Sequence, residues 1–479
     1  MGKINIDTFT NDVIASSGVL FGTSGARGLV EQFTEDACAA FTVSFLKKFK
    51  GIGRLAIGVD NRPSSCKMAE SCASAASGLG FEIEYFGVLP TPALAHYSMS
   101  EAIPAIMVTG SHIPFDRNGL KFYKPDGEIS KNDELEILSV HEPLVRIDDF
   151  ELPTTSTIAI DRYIERYTKP YESSLLKGLK IGIYEHSSSG RDVYSRIFEA
   201  LGAETVSLGR SDHFVPIDTE AVSPSDNLQA QKWLNHYKLD YVFSTDGDGD
   251  RPLLSDETGK YLRGDTLGLL ASMALDIEAV VVPVNSNTSI DHIASFSTVE
   301  KTKIGSPYVI EGINTLKPVF NSVGGFEANG GYLLGSDLNI NGSVISGLPT
   351  RDAILPVIAV LANLNGRSII DLVESLPDRF TSSDRLQNYP TSEGLSLLEK
   401  VRKSPEIALK ALPNSINGIC VNGVDVTDGV RLILNNDEII HLRTSGNAPE
   451  LRCYAESNTQ EGADSLVLSV LNAIKNNKI

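Results

Sequence analysis

Three observations predict an α/β protein of several domains. The chain has 479 residues, more than one hydrophobic core organises, so three or four domains are expected. A strand, polar loop, helix, glycine and strand follow one another three times, at residues 54–86, 179–208 and 279–304. The residues after 375 break that rhythm and alternate short strands with two helices. The expected fold is therefore three related α/β domains of βαβ type with mixed sheets, followed by a smaller α+β domain. We place them at residues 1–152, 153–254, 255–375 and 376–479.

Composition narrows the function. Hydrophobic residues make up 42% and charged residues 22%, the balance of a soluble globular enzyme. The net charge of −19 argues against nucleic-acid or anionic-membrane partners, and it obliges an anionic substrate to find a local cluster of Arg, Lys or metal. The five cysteines are odd in number and form no C-x-x-C, which reads as reduced structural thiols. No signal peptide is evident, Ile6 spoils a myristoylation site, and the apolar run 267–284 is interrupted by Asp276 and Glu278. A cytoplasmic protein is expected.

In chain order, residues 21–28 (F-G-T-S-G-A-R-G) come first. Glycines with Thr23, Ser24 and Arg27 make a compact turn suited to an anion, or simply a flexible loop. Residues 55–59 read as a buried strand, Ser64 and Ser65 as helix N-caps, the Ala-rich segment to Gly78 as a helix, and Gly80 as its stop. Residues 105–108 are another buried strand, and Thr109, Gly110, Ser111 and His112 fall at its C-terminal end, where open α/β sheets build their sites. A hydroxyl beside a histidine, with Lys121 further on, offers a nucleophile and two proton carriers in one loop. The plain alternative is a strand exit with Ser and Thr capping a helix.

The second copy has strands at 179–184 and 204–208 around a helix at 192–201. It leads to a strand at 239–244 and then T-D-G-D-G-D-R, residues 245–251. Asp246, Asp248 and Asp250 alternate with glycines that let three carboxylates converge. Such a cluster calls for a cation, and oxygen ligands select a hard ion such as Mg²⁺. Two other readings are a solvated acidic turn and an EF-hand loop ending at Glu257, although the latter has Arg251 where Gly is required and a strand in front.

The third copy has strands at 279–284 and 299–304 around a helix reaching Ala294. After it, G-G-F-E-A-N-G-G-Y (324–332) presents Glu327 and Asn329, a donor–acceptor pair for vicinal hydroxyls, or a decorated tight turn. The last domain opens on a long polar stretch, 381–394, then a helix at 395–402 and strands at 419–426, 429–434, 439–443 and 451–456 before a C-terminal helix. Its turn R-T-S-G-N-A-P-E-L-R (443–452) contains Arg443, Ser445, Gly446 and Asn447, an anion cradle or a capped turn.

These five patches, in this order, resemble the α-D-phosphohexomutase superfamily: its N-terminal signature, phosphoserine loop (V-T-G-S-H-I-P-F-D-R-N-G-L-K), metal loop, sugar-binding loop and phosphate-binding loop. The resemblance implies four domains around a central cleft and a reversible shift of phosphate between O6 and O1 of a hexose, mannose and/or glucose. It implies that Ser111 carries the phosphate and joins Asp246, Asp248 and Asp250 in holding one Mg²⁺. Arg27, His112, Lys121 and Arg251 would be the acid/base or charge-stabilising groups. Thr23, Ser24, Glu327, Asn329, Arg443, Ser445, Gly446 and Asn447 would bind substrate, with a hexose 1,6-bisphosphate as intermediate and activator. Monomer and dimer both stay open. The chain departs from the family pattern at Ile113 (commonly Asn), Asn329 (commonly Ser), Gly331 (His in some mannose-handling members) and Asn447 (usually Thr). A phosphoglucosamine mutase, and a non-catalytic sugar-phosphate sensor on the same fold, are the alternatives.

Overall fold

The computed structural model describes residues 3–409, 418–445 and 449–476. The first sheet runs, in spatial order, Leu20–Phe21, Ala26–Leu29, Arg117–Lys124, Ala105–Val108, Arg54–Val59 and Glu82–Val88. Arg54–Val59 pairs in parallel with both Glu82–Val88 and Ala105–Val108, and Arg117–Lys124 adds antiparallel. The period-two alternation of a strand divides its side chains between two cores. Ile57, Val59, Ile106 and Val108 meet the helices Glu35–Leu46 and Ser65–Gly78, while Ala56, Ala105 and Met107 face Thr91–Glu101 and the helix Ile158–Thr168.

The same plan recurs. In the second sheet Lys180–Tyr184 lies between Glu204–Leu208 and Tyr241–Thr245, all parallel, and Pro252–Leu254 adds antiparallel to Tyr241–Thr245. In the third, Ala279–Pro283 lies between Thr298–Thr302 and Val323–Phe326, and Tyr332–Leu334 adds antiparallel to Val323–Phe326, followed by Leu348–Asp352. Each domain thus turns from its third parallel strand into an antiparallel neighbour. The three connecting turns hold Ser111, the Asp246–Asp250 loop and Glu327, so topologically equivalent turns carry three different sets of polar residues. One continuous core, from Ala56 through Tyr163, Phe243, Val280 and Phe326 to Leu372, ties the three domains together.

The fourth domain is a five-stranded antiparallel sheet, Phe380–Gln387, Glu450–Ser457, Ile439–Thr444, Val430–Leu434 and Val421–Asp425, backed by Thr391–Lys403 and Gln460–Lys475. It has its own separate core, including Val401, Leu442 and Val470. No helix among the described residues is long and apolar enough to cross a membrane. All five cysteines are free thiols, and Cys38, Cys72 and Cys453 are buried.

Several expectations need correction. The polar stretch at 381–394 opens with the edge strand Phe380–Gln387, whose backbone is satisfied by Glu450–Ser457 and whose outer side chains meet water. The third-copy helix is only a 3₁₀ turn, Thr288–His292, and the longer helix is Ser306–Leu316, which starts with Pro307 in its first turn. Ser64 does not cap its helix: its hydroxyl and that of Ser65 accept from Asn118 Nδ2 at 2.8 and 3.0 Å. Lys121 is not in the serine loop but on the antiparallel strand Arg117–Lys124, opposite Met107. No helix follows Ser111, which disposes of the capping alternative. The acidic loop lies between two strands, and Glu257 is engaged by Tyr241 Oη and the amides of Ile369 and Ile370, so it is not an EF-hand.

Candidate active site

Ser111 is fully buried and sits at φ +52°, a left-handed conformation that costs a non-glycine residue about 1–2 kcal/mol. The loop is held there by Asp60 and Arg62, at the end of Arg54–Val59, two residues that belong to none of the five sequence patches. Asp60 accepts from Thr109 Oγ1 (2.7 Å), Gly110 N (3.2 Å), Ser65 Oγ (2.6 Å) and Arg62 N (3.0 Å). Thr109 Oγ1 in turn receives the Ser111 amide at 2.8 Å. The Arg62 guanidinium collects four backbone carbonyls of the loop: Ser111 (3.0 Å), Ile113 (2.5 Å), Pro114 (2.8 Å) and Arg117 (3.0 Å). The Phe214 ring of the second domain covers it at 3.9 Å. The sequence signal that marks them is D-x-R directly after a buried strand, the position where α/β sheets place working residues.

The serine hydroxyl donates to Asp246 Oδ2 at 2.7 Å and lies 3.4 Å from His112 Nδ1. That contact joins the first domain to the second. Gly247 allows it, because a Cβ there would stand 2.7 Å from the Ser111 carbonyl. Carboxylate oxygens of Asp246, Asp248 and Asp250 lie within 4.8 Å of one another, all buried. Lys121 Nζ donates to Asp248 Oδ2 (2.5 Å) and Asp250 Oδ2 (2.7 Å), and Thr91 Oγ1 to Asp248 Oδ2 (2.7 Å). Asp248 Oδ1 and Asp250 Oδ1 are buried without a hydrogen bond. Asp250 Oδ1 faces the Arg251 guanidinium at 3.6 Å, and these two carboxylate oxygens free of hydrogen bonds, beside a third carboxylate and a serine hydroxyl, fit the ligand set of a hard divalent cation.

Burial and the neighbouring Asp248 and Asp250 push the Asp246 carboxyl well above its ordinary range. Burial acts on Asp248 in the same sense, but Lys121 and the hydrogen bonds from Thr91 and Asp246 together hold that carboxylate low. Arg251 Nη1 approaches His112 Nδ1 at 2.8 Å. Burial, then Arg251 and Arg27, lowers the imidazole far below the usual histidine value. Arg27 lies on Ala26–Leu29, opposite Gly119, and burial together with Arg251 and Arg351 brings it down to about 10.

The third domain joins through Arg351, also outside the five patches, which reaches both Asp250 and Glu327. Glu327 is buried in its turn, with Gly330 N donating to its carbonyl at 2.9 Å. Asn329 turns its Oδ1 onto the Gly331 amide at 3.0 Å, so that oxygen shapes the turn. Ser24 is buried in the turn closed by Gly22 N and Gly25 O at 2.9 Å, and Thr23 lies against Gly305 of the third domain. In the fourth domain Arg443 Nε donates to Asp428 Oδ1 at 2.9 Å, while Asp428 Oδ2 accepts the Ile304 amide at 2.9 Å. Ser445 is buried. Gly446 and Asn447 lie outside the described residues. The structure therefore unites Ser111, His112, Lys121 and Arg251 with the three aspartates, and brings Glu327 to them through Arg351.

The serine, the carboxylate triad and the ring of cations define an enzyme of phosphoryl transfer. Models of the phosphoglucomutase/phosphomannomutase alpha/beta/alpha domains I, II and III match residues 18–142, 161–259 and 263–380. The chain belongs to this family, part of the α-D-phosphohexomutase superfamily, and is a phosphohexomutase. It is 53% identical to a phosphomannomutase of Salmonella muenchen, over 97% of this chain and 98% of the relative. It is 40% identical to a phosphomannomutase of Sinorhizobium fredii, over 95% and 99%. Its fold matches an Aspergillus fumigatus N-acetylphosphoglucosamine mutase solved with GlcNAc-6P and magnesium (TM-score 0.59, 14% identity, 98% of this chain and 99% of that one).

Proposed function

We propose that this phosphohexomutase works on mannose phosphates, interconverting the 6- and 1-phosphates, with glucose phosphates as secondary substrates. The observation that carries the mechanism is the 2.7 Å hydrogen bond from Ser111 Oγ to Asp246 Oδ2, which sets the nucleophile of one domain on the carboxylate loop of another. The leaning to mannose rests on the two phosphomannomutases that align over nearly the whole chain.

In this reading Ser111 carries a phosphoryl group in the resting enzyme. The free hydroxyl of a bound hexose monophosphate attacks that phosphorus, its proton passes to a base of the cleft (His112 Nδ1 lies 3.4 Å from Ser111 Oγ), and the Oγ–P bond breaks. The resulting hexose 1,6-bisphosphate turns in the cleft, Ser111 Oγ attacks its other phosphorus, the sugar O–P bond breaks, and the freed sugar oxygen takes the proton back from the base. Lys121, Arg27 and Arg251 neutralise the charge on the transferring oxygens. Ser111, Asp246, Asp248 and Asp250 would hold one Mg²⁺, which when bound polarises the phosphoryl oxygens. Glu327 and Asn329 would grip the sugar hydroxyls, Thr23 and Ser24 would bind substrate, and Arg443, Ser445, Gly446 and Asn447 would hold the non-reacting phosphate. The protein would act in the cytoplasm.

The test is parallel turnover of mannose, glucose and glucosamine 1-phosphates with Mg²⁺ and a trace of the matching bisphosphate, followed by phosphorus NMR. Mannose 1-phosphate should convert fastest. Glucosamine 1-phosphate converting fastest would overturn the sugar assignment, and no conversion with no phosphate on Ser111 would favour a sensor.

A further inference from the structure

Arg351 sits on Leu348–Asp352, fully buried, where three loops meet. Its Nε and one terminal nitrogen lie 3.0 and 2.9 Å from Asp250 Oδ2. The other terminal nitrogen donates to Glu327 Oε2 (3.1 Å) and meets Ser306 Oγ (3.0 Å). One planar cation therefore spans a carboxylate of the triad and the carboxylate of the sugar loop, a fork that an ammonium cannot reproduce. Because Lys121 and Arg351 both hold Asp250 by Oδ2, its Oδ1 is turned the other way, without a hydrogen bond.

Two features keep the guanidinium in place. The neighbouring Asp352 accepts hydroxyl hydrogen bonds from Tyr163 (2.8 Å) and Tyr167 on the helix between the first two domains, which pins the strand. Leu348–Asp352 pairs with Tyr332–Leu334, and that register lays the Arg351 stem over Gly331. A Cβ on Gly331 would stand 2.6, 2.7 and 3.0 Å from Cδ, Cγ and Cβ of Arg351. Any side chain at position 331 would compete with the arginine for this space.

We propose that Arg351 is a positioning residue that couples the metal loop to the sugar loop, and that Gly331 is the space that admits it. The inference rests on the assignment of Asp250 to the metal and Glu327 to the sugar. A single cation orienting both carboxylates makes metal affinity and sugar-phosphate affinity depend on one side chain.

The experiment compares the full-length protein with Arg351→Met, Arg351→Lys, Gly331→Ala and the Arg351→Met/Gly331→Ala double variant. Mn²⁺ binding is read by electron paramagnetic resonance, kcat and KM for mannose 1-phosphate by turnover, and folding by calorimetry. Arg351→Met should weaken Mn²⁺ binding and raise KM, each about tenfold, the order expected when a buried charged partner is removed. Arg351→Lys should restore Mn²⁺ binding, through a point charge near Asp250, but leave KM raised. Gly331→Ala should move both quantities in the direction of Arg351→Met and add nothing in its background, because the two share one mechanism. A lowered melting temperature with unchanged Mn²⁺ affinity and KM would overturn the proposal, as would additive effects in the double variant. Should mannose 1-phosphate prove a non-substrate, the Mn²⁺ readings still decide the metal half of the coupling while the sugar assignment alone falls.

Discussion

The acidic loop of the second domain follows a strand with an antiparallel neighbour, as does the fourth-domain segment around Arg443, yet they are held in opposite ways. The acidic loop is buried and gripped from three domains: Ser111, Thr91 and Lys121 from the first, its own strands from the second, Arg351 from the third. The first three domains also share one core. The fourth-domain segment belongs to a domain with a separate core, and half-buried Arg443 is linked to the third domain through Asp428, which accepts the Ile304 amide. A few polar anchors add to this, including the Thr288 amide on Glu456 at 3.0 Å and Asn287 Nδ2 on Thr381 Oγ1 at 3.0 Å. The difference separates two requirements. Chemistry needs groups fixed to a fraction of an ångström, whereas gripping and releasing a substrate needs a part that can shift without disturbing them.

Ser111→Ala gives the largest expected effect. Turnover should fall by roughly 10³-fold or more while circular dichroism is unchanged, and intact mass should show no phosphate. Normal activity in that variant would remove the nucleophile from the fixed centre. Asp248→Asn comes next: it should cost on the order of 10²-fold in kcat and flatten the Mg²⁺ activation curve, and a wild-type Mg²⁺ titration would count against the triad.

Arg62→Ala should lower stability by about 3 kcal/mol in denaturant titration, since four carbonyls and Asp60 lose their partner, with kcat falling more than KM rises. By contrast Glu456→Gln, at the edge of the fourth domain, should raise KM several-fold and leave kcat within about twofold. A large loss of kcat there would show that the fourth domain is part of the fixed centre after all.

The smallest effect is a pH dependence confined to the fourth domain. His441 is buried with Nε2 donating to the Asp428 carbonyl at 2.6 Å, and burial lowers it from 6.5 to about 4. The unfolded chain therefore binds a proton that the folded one refuses. Stability contributed by this group is complete above pH 6.5 and is lost as pH falls toward 4, by about 3 kcal/mol at most. Denaturant titrations of the wild type and His441→Gln at pH 7, 5.5 and 4.5 (about one pH unit apart, the scale of a single titration) should show a shallower acid slope in the variant.

Much of the centre is legible in the linear chain. Asp246, Asp248 and Asp250 advertise themselves, because alternating carboxylates and glycines after a strand are hard to explain without a cation. Ser111 and His112 are marked by their place at a strand's end. Asp60 and Arg62 carry only the faint mark of a D-x-R after a strand, and Arg351 carries none, because their meaning depends on what lies opposite: carbonyls of a loop around Ser111 for Arg62, and two distant carboxylates for Arg351. The strand Phe380–Gln387 is hidden for a related reason, since its ordering comes from Glu450–Ser457 and not from its own apolar pattern. The helix Ser306–Leu316 does carry a local signal, Pro307 in its first turn, which the expectation of a strand–helix–strand repeat overshadows.

Local chemistry thus lies in residue type and spacing: the nucleophile, the converging carboxylates, the glycines that permit tight turns, and the repeated βαβ order that places each turn at a strand's end. Those are short-range properties. Convergence is settled by folding. The 2.7 Å approach of Ser111 to Asp246, the two cations sharing Asp250 Oδ2, and the space over Gly331 arise from domains whose relative placement is fixed by a common core. Long-range burial decides which charges meet, and no local pattern encodes the partner across a cleft.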